Sequence, residues 1–144
     1  MNQQDTIQLL NQCHAGAQMA VSSLNDVLPS VEDPDLRSRL YASLEDHNRL
    51  AGQAVSQLQQ LHQPEKTAST MARSMSWLKT NFRLAVSPGD HSVADLVTDG
   101  CNMGVKTLRK SCNRFTGAGQ AAKDLAADLM AKEAGLVQAL EPYL

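Results

Sequence analysis

The chain reads Leu44-Glu45-Asp46-His47 at the centre of a long helical pattern. Around this stretch, apolar side chains recur in alternating steps of three and four residues, as they do along the buried stripe of an α-helix. The stripe consists of Leu36, Leu40, Leu44, His47, Ala51, Ala54, Leu58 and Leu61. His47 falls on this stripe, where a histidine is out of place among aliphatic side chains. The pattern predicts a long amphipathic helix that carries a histidine on its buried face.

The start of this helix is marked by Asp33-Pro34-Asp35. Asp33 can accept hydrogen bonds from free amides of the first turn, and Pro34 suits the first helical position. A similar apolar stripe precedes it and ends before Pro29. Because the link between the two stripes is short, we predict an antiparallel hairpin of helices over residues 5–28 and 34–62.

The same spacing predicts further helices over residues 68–86, 92–115 and 119–141. Ser87-Pro88-Gly89-Asp90 breaks the pattern, and Ser92 with Asp95 resembles a capping box. Ala, Leu, Gln and Met are abundant and aromatic residues are few, which favours helices over strands. We therefore predict an all-α, single-domain protein over residues 1–144. Its four long helices form two hairpins, and the connection between the hairpins contains an additional helix.

The connection is long enough to run the length of the bundle, which would make the second helix parallel to the helix over 92–115. Within the first hairpin, His14 lies 17 residues before residue 31 and His47 lies 16 residues after it. At a rise of ~1.5 Å per residue, both histidines are expected at the same level, facing inward.

Composition excludes several classes of protein. The chain has 13 basic and 15 acidic residues, so it has no strong field toward nucleic acid or anionic membranes. It lacks a secretory signal and any apolar run near the ~20 residues that cross a bilayer. Three cysteines without a CxxC pair suggest reduced thiols. We expect a soluble cytoplasmic protein that makes no contact with membranes.

Several short motifs resemble those of a family of small bacterial ferritin-like proteins of uncharacterised role. These motifs are Cys13-His14-Ala15-Gly16, Glu32-Asp33-Pro34-Asp35-Leu36, Trp77-Leu78-Lys79, Ser87-Pro88-Gly89-Asp90-His91 and residues 100–106. The resemblance covers nearly the whole chain. It implies a ferritin-like, diiron-carboxylate-type four-helix bundle with a long crossover connection.

Iron-binding proteins of this kind place a Glu on each of two helices and Glu-x-x-His on each of the other two. By that comparison, the first helix has Ala17 in place of a Glu, and the second has Leu44 and His47. The third long helix has Cys101, and the last keeps Glu133 but has Leu136 in place of the histidine. The resemblance therefore implies that most metal ligands are lost, since iron oxidation needs several oxygen ligands.

A polar layer is still expected at mid-bundle, formed by His14, His47, Cys101, Lys132 and Glu133. One hypothesis is a single Zn²⁺ or similar ion held by His14, His47, Cys101 and Glu133. The other is a hydrogen-bonded remnant, in which Glu133 is matched by a histidine or by Lys132. The sequence favours the remnant, because none of these residues shows an HxxxH or CxxC spacing.

Two features indicate interaction surfaces. Lys106, Arg109, Lys110 and Arg114 form a basic cluster, which would suit nucleic acid but more often is a solvated helix face. Trp77 lies beside the stripe of the connecting helix, where it could cover a dimer interface.

We expect a non-catalytic protein without a cofactor that serves as a structural, stress-related or protein-interaction module, with a homodimer as one form. The first alternative is a mononuclear metal-binding protein that uses the mid-bundle layer. The second is a weak nucleic-acid binder that uses the basic cluster, although nucleic acid is not the expected partner. No Gly-rich phosphate loop and no pairing of a nucleophile with a base supports an enzyme.

Overall fold

The computed structural model describes residues 2–63 and 89–144, which form four long α-helices. Helix α1 spans Gln3–Val27 and is followed by a 3-10 turn over Leu28–Ser30. Helix α2 spans Pro34–Gln60, α3 spans Asp90–Arg114 and α4 spans Gln120–Leu140. A second 3-10 turn spans Glu141–Tyr143. The helix predicted over 68–86 lies outside the described residues.

The first turn of α2 has the cap that the sequence predicts. The Asp33 carboxylate accepts a hydrogen bond from the Leu36 amide at 2.9 Å, and Pro34 occupies the first helical position. Helix α3 begins differently from the prediction, since it starts at Asp90 rather than Ser92 and its N-cap is Gly89. Gly89 has a φ of 147°, a backbone conformation that side chains rarely allow.

The Asp90 carboxylate joins the starts of two helices. Its oxygens accept hydrogen bonds from the backbone amides of Glu32, at 2.8 Å, and Asp33, at 2.9 Å. Asp33 precedes α2 and Asp90 begins α3, so both helices start at the same end of the bundle. The two helices therefore run parallel, as expected for two hairpins with a long crossover between them.

The opposite end of the bundle is tied by the start of α1 and the turn between α3 and α4. The Asp5 carboxylate accepts from the Gly117 amide at 2.9 Å, and the Thr6 hydroxyl accepts from the Gly119 amide at 2.8 Å. The Asn2 amide donates to the Gly117 carbonyl at 2.7 Å. These bonds satisfy backbone groups that the ends of helices leave without a helical partner.

The buried apolar side chains form two clusters, one toward each end of the bundle. The first cluster includes Leu10 of α1, Leu50 of α2, Leu108 of α3 and Leu129 of α4. The second includes Leu24 of α1, Leu40 of α2, Cys101 of α3 and Leu136 of α4. Along each helix, residues of the two clusters occupy different stretches of the chain. The core therefore divides at mid-bundle, where polar side chains are buried. Among the described helices, none is long and apolar enough to cross a membrane.

Candidate functional site

The mid-bundle division of the core is occupied by His47 and Glu133. On α2, His47 lies between Leu44 of the second cluster and Leu50 of the first. On α4, Glu133 lies between Met130 of the first cluster and Leu136 of the second. His47 is 1 % exposed and Glu133 6 % exposed, so both titratable side chains are removed from water. Burial of this kind is costly unless the two groups compensate each other.

The imidazole of His47 is held in place by its own helix. Its Nδ1 lies 2.8 Å from the backbone carbonyl oxygen of Ser43 and 3.3 Å from the Ser43 hydroxyl. A carbonyl oxygen can only accept a hydrogen bond, so Nδ1 carries a proton and donates a hydrogen bond to the Ser43 carbonyl. The other ring nitrogen, Nε2, is therefore directed away from α2. It is the nitrogen that faces the partner helix.

That partner is the Glu133 carboxylate. Nε2 of His47 lies 3.7 Å from Oε1 of Glu133, close enough for an ion pair but too far for a hydrogen bond. Neither Nε2 of His47 nor Oε2 of Glu133 has a hydrogen-bond partner among the described residues. At this distance a protonated imidazole and an ionised carboxylate would neutralise each other, and Nε2 of His47 and Oε2 of Glu133 keep unused hydrogen-bonding capacity.

The carboxylate of Glu133 packs against the backbone of Gly104 on α3. A Cβ atom built on Gly104 would lie 2.8 Å from Cδ and 2.9 Å from Oε1 of Glu133, and it would overlap Oε2. No side chain larger than hydrogen fits there while Glu133 keeps its position. Glu133 of α4 is therefore packed directly against the backbone of α3, which limits how its carboxylate can turn.

The ionisation of this pair follows from its burial. Burial alone would lower the pKa of His47, but the Glu133 carboxylate and the Ser43 carbonyl outweigh it and raise that pKa above its usual value. Burial raises the pKa of Glu133, and the neighbouring imidazole offsets part of this rise. Both groups thus bind protons more tightly in the folded protein than in the unfolded chain. The pair titrates as a coupled unit.

Cys101 is the third predicted ligand near this pair. It is buried on α3, and both its burial and the Glu133 carboxylate raise the pKa of its thiol well above the usual range. A thiol next to a carboxylate stays protonated, so it is a poor nucleophile and a poor metal ligand unless a cation neutralises that carboxylate. The geometry does not activate Cys101.

A cavity of about 40 Å³ lies beside these three residues. His47, Cys101 and Glu133 contribute to its lining, together with mainly apolar residues of α1 and α3 such as Met19, Leu24 and Val97. A cavity of this size has room for one or a few water molecules, which need polar partners nearby. The unused hydrogen-bonding atoms of His47 and Glu133 are suitable partners.

The fourth predicted ligand, His14, is buried at 4 % exposure. It lies between Cys13 and Ala17 on α1, both of which belong to the first apolar cluster, and it is not among the residues that line the cavity. Within residues 2–63 and 89–144, no three His, Cys, Asp or Glu side chains are close enough together to hold a metal ion. The structure thus places His47, Cys101 and Glu133 around one cavity, but their side chains are not arranged to bind a common metal ion.

Lys132, the alternative partner that the sequence offers for Glu133, pairs with Asp46 and not with the buried polar layer. Its side chain is 46 % exposed, and its ammonium group lies 3.5 Å from the Asp46 carboxylate. The same carboxylate lies 3.5 Å from the guanidinium of Arg49. Lys132 is the neighbour of Glu133 in sequence, and consecutive residues of a helix point about 100° apart. Lys132 and Asp46 therefore face outward and join α4 to α2 at the surface.

The residues proposed for an interaction surface are exposed where they are described. Lys106, Arg109, Lys110 and Arg114 all lie on the outer side of α3. The guanidinium of Arg114 lies 5.4 Å from the centre of the Phe115 ring, as in a cation–π contact. Trp77 lies outside the described residues.

Two residues of the site were not predicted from the sequence. Ser43 carries no motif, because any residue four positions before His47 offers the same carbonyl oxygen. Gly104 carries a weak signal, since a glycine within the inner stripe of a helix often marks a close approach of another group. Its position one turn after Cys101 places it on the same face as the predicted ligand.

Comparisons with known proteins support the architecture. No protein-family model and no curated protein sequence matches the chain. Among solved structures, it is similar to a dodecameric thioferritin, the bacterioferritin-related protein from Bacteroides fragilis. The TM-score is 0.75 at 14% sequence identity, and the match covers 99% of this chain and 86% of the other. At this level of identity the likeness shows the fold alone: the chain is a ferritin-like, all-α bundle.

Proposed function

We propose that this protein is a non-catalytic ferritin-like bundle without a working diiron centre, and that it serves as a structural or protein-interaction module. The observation that carries the proposal is the chemistry of the buried polar layer. Among the described residues, Glu133 is the only buried carboxylate. A diiron centre requires several hard oxygen ligands to hold two ions and to balance their charge. The residues that the structure describes do not fit that group.

The position of Glu133 supports the same conclusion. Its carboxylate packs against Gly104 and faces His47, so a protonated imidazole would match the charge of this acid without a metal ion. Positions that the resemblance assigns to other ligands hold Ala17 and Leu136, which are buried within the two apolar clusters. Apolar side chains at these positions fill space and provide no donor atoms.

The arrangement also gives little support to catalysis by the protein's own side chains. A nucleophilic cysteine requires a base or a positive charge that lowers the pKa of its thiol. Cys101 has instead the Glu133 carboxylate nearby, and its pKa is raised. The surface of the bundle, rather than its interior, is then the part through which the protein would act. The dodecameric form of the structurally similar thioferritin supports self-association as one such action.

One alternative has a specific observation in its favour. Nε2 of His47 and Oε2 of Glu133 lack hydrogen-bond partners among the described residues, and Cys101 lines the same cavity. Imidazole, carboxylate and thiolate are all ligands of Zn²⁺. A single ion at this place would require these side chains to move closer together, since no group of three among the described residues is arranged to hold one.

Metal content and iron oxidation test the proposal directly. The protein should be purified without chelators and analysed for iron, zinc and manganese, and its rate of aerobic Fe²⁺ oxidation should be compared with buffer. We expect substoichiometric metal and no acceleration. Stoichiometric metal that is lost in His47→Ala but kept in His91→Ala would favour the mononuclear alternative. His91 is the matched control because it is an exposed histidine on α3. Accelerated Fe²⁺ oxidation would contradict a non-catalytic role.

A further inference from the structure

The outer face of α3 has an ordered distribution of charge. Successive residues of a helix are about 100° apart, so residues 95, 99, 102, 103, 106 and 110 share one face. All six are exposed, and they lie opposite the buried stripe that includes Val97, Cys101 and Leu108. Asp95 and Asp99 provide the acidic half of this face, and Lys106 and Lys110 provide the basic half. We call these six residues the outer face of α3.

Within one chain, this arrangement of charge is unfavourable. Asp95 and Asp99 are four residues apart, as are Lys106 and Lys110, and like charges at this spacing repel each other along a helix. None of the four side chains makes an ion pair or a hydrogen bond with another described residue. The charges of the outer face are therefore not compensated by the described part of the bundle.

The helix dipole does not account for the pattern. Its effect on side chains is confined to the first and last turns. Helix α3 spans Asp90–Arg114, so Asp90 and Arg114 are the residues placed to interact with it. Asp99 and Lys106 lie in the middle of the helix, more than two turns from either end. Their separation into an acidic and a basic half requires another explanation.

The outer face is symmetric about its centre. Asp99 and Lys106 lie equally far from the midpoint between Asn102 and Met103, and Asp95 and Lys110 lie equally far from it as well. Each position that is acidic on one side of the midpoint is thus basic on the other. Met103, one of the few large hydrophobic side chains exposed among the described residues, lies at the centre with 39 % exposure.

We propose that the outer face of α3 is a self-association surface, on which α3 of a second copy of this chain packs antiparallel about a two-fold axis near Asn102 and Met103. Such an interface is self-complementary, because each residue meets the residue at the mirrored position of the partner. Asp99 of each copy then faces Lys106 of the other, and Asp95 faces Lys110. The proposal rests on the interaction role proposed above and names the partner.

The spacing along the helix suits this pairing. Asp99 and Lys106 are ~10 Å apart along the axis, and Asp95 and Lys110 are ~22 Å apart, at a rise of 1.5 Å per residue. An antiparallel partner therefore presents four separate pairs of opposite charge, two on either side of the axis. Its helix dipole is also opposed to that of the first copy. Asn102 and Met103 of both copies flank the axis, so the two Met103 side chains come together beside it, where apolar contact is shielded from water.

Charge argues against nucleic acid as the occupant of this face. A surface that tracks phosphates is uniformly basic. Here Asp95 and Asp99 continue the same face as Lys106 and Lys110, so a phosphate backbone that follows α3 would meet acidic side chains over half of its path. A second copy matches both halves of the face.

The mass of the protein in solution tests the interface. Sedimentation velocity of the whole chain between ~10 μM and ~1 mM should show a concentration-dependent dimer or larger assembly that weakens with added salt, since exposed ion pairs are screened. The double variant Asp95→Lys/Asp99→Lys should weaken this step by about tenfold or more, because four attractive pairs become repulsive. Asp128→Lys, a charge reversal at an exposed site of α4, should leave it unchanged.

An exchange of charges separates the interface from a general effect of net charge. Asp99→Lys alone should weaken association, and Asp99→Lys/Lys106→Asp should restore it, because each new lysine then faces a new aspartate across the axis. Circular dichroism should show the same helical content in all variants. The proposal is refuted if the wild-type chain is monomeric throughout this range, or if the exchange fails to restore an association that Asp99→Lys has weakened. Equal association of the wild type and Asp95→Lys/Asp99→Lys would refute it as well.

These outcomes are independent of the test of the polar layer. Metal content and iron oxidation report on the interior of the bundle, whereas sedimentation reports on its surface. A metal-free protein that fails to associate through α3 would leave the absence of a diiron centre supported and remove the interface. Stoichiometric metal, together with association that changes as predicted in the charge variants, would support the interface and contradict the absence of a metal centre.

Discussion

Replacement of Gly104 by alanine tests the packing of the buried carboxylate against α3. The new Cβ would overlap Oε2 of Glu133 and lie 2.8 Å from Cδ and 2.9 Å from Oε1. Cβ atoms in proteins do not approach other atoms so closely, so the carboxylate of Glu133 must move away from Gly104 and from His47. The substitution changes one hydrogen to a methyl group, yet it acts on the most deeply buried acid described in the protein.

Two effects of opposite sign determine the size of the change. Alanine in the middle of a helix is favoured over glycine by ~1 kcal/mol, which would stabilise α3. A methyl group forced into a packed site costs ~1–3 kcal/mol, and disturbance of a buried charged pair adds to this. We therefore expect Gly104→Ala to lower the free energy of unfolding by up to ~2 kcal/mol.

The matched control is Gly135→Ala. Gly135 lies in the middle of α4, and a Cβ built on it has no atom within 4 Å, so only the helical preference remains. This variant should gain up to ~1 kcal/mol. Urea unfolding, followed by circular dichroism, should thus separate the two variants by ~1–3 kcal/mol.

Removal of the carboxylate should abolish the cost. In a Glu133→Ala background, Gly104→Ala no longer meets Glu133 and should become neutral or stabilising. The coupling energy of this double-mutant cycle is expected at ~1–3 kcal/mol, as for residues in direct contact. If Gly104→Ala stabilises the wild-type chain as much as Gly135→Ala does, the carboxylate of Glu133 is not packed against the backbone of α3.

Three further predictions concern the ionisation of buried groups and the tie between helices. Folding raises the pKa values of Glu133 and of His47. The stability that protonation of these groups contributes is therefore fully present at low pH, and it is lost as the pH rises through the folded pKa values. Urea unfolding between about pH 5 and about pH 8 should therefore show a shallower decline with pH for Glu133→Gln than for the wild type, by up to ~1.4 kcal/mol per unit; an equal or steeper decline would contradict the coupling. Thiol titration of the native protein near neutral pH should modify the half-buried Cys112 first, since Cys13 and Cys101 are buried. Burial, with a smaller effect of the nearby Cys112, also raises the pKa of the Cys13 thiol to about 12. Reaction of all thiols at one rate would show that burial does not protect them. Asp90→Ala should destabilise the bundle by ~1–2 kcal/mol, since two backbone amides lose their acceptor. Asp128→Ala, at an exposed site of α4, should change the stability by less than ~0.5 kcal/mol. Equal effects of the two variants would argue against the bonds that Asp90 makes to the start of α2.

The sequence alone was sufficient for the four helices that the structure describes and for the side of each of them that is buried. A stripe of apolar residues at helical spacing places His47 inward, and the structure buries it. Asp33 and Pro34 define the start of α2 through local chemistry, and the predicted cap is confirmed. The parallel arrangement of α2 and α3 was predictable from the length of the crossover and is evident from the bonds of Asp90. These features depend on neighbours within a few residues or on chain length.

The contacts of the polar layer could be decided only by the tertiary structure. Periodicity shows which way a side chain points around its helix, but it does not determine how far one helix slides along another. A shift of one turn exchanges the partners of every inward residue. Glu133 could therefore be assigned to His47 or Lys132 from the sequence, and the packing of α4 against α2 selects His47 while Lys132 pairs with Asp46 at the surface. The contact between Gly104 and Glu133 depends on the same packing, because α4 must bring the carboxylate against the backbone of α3.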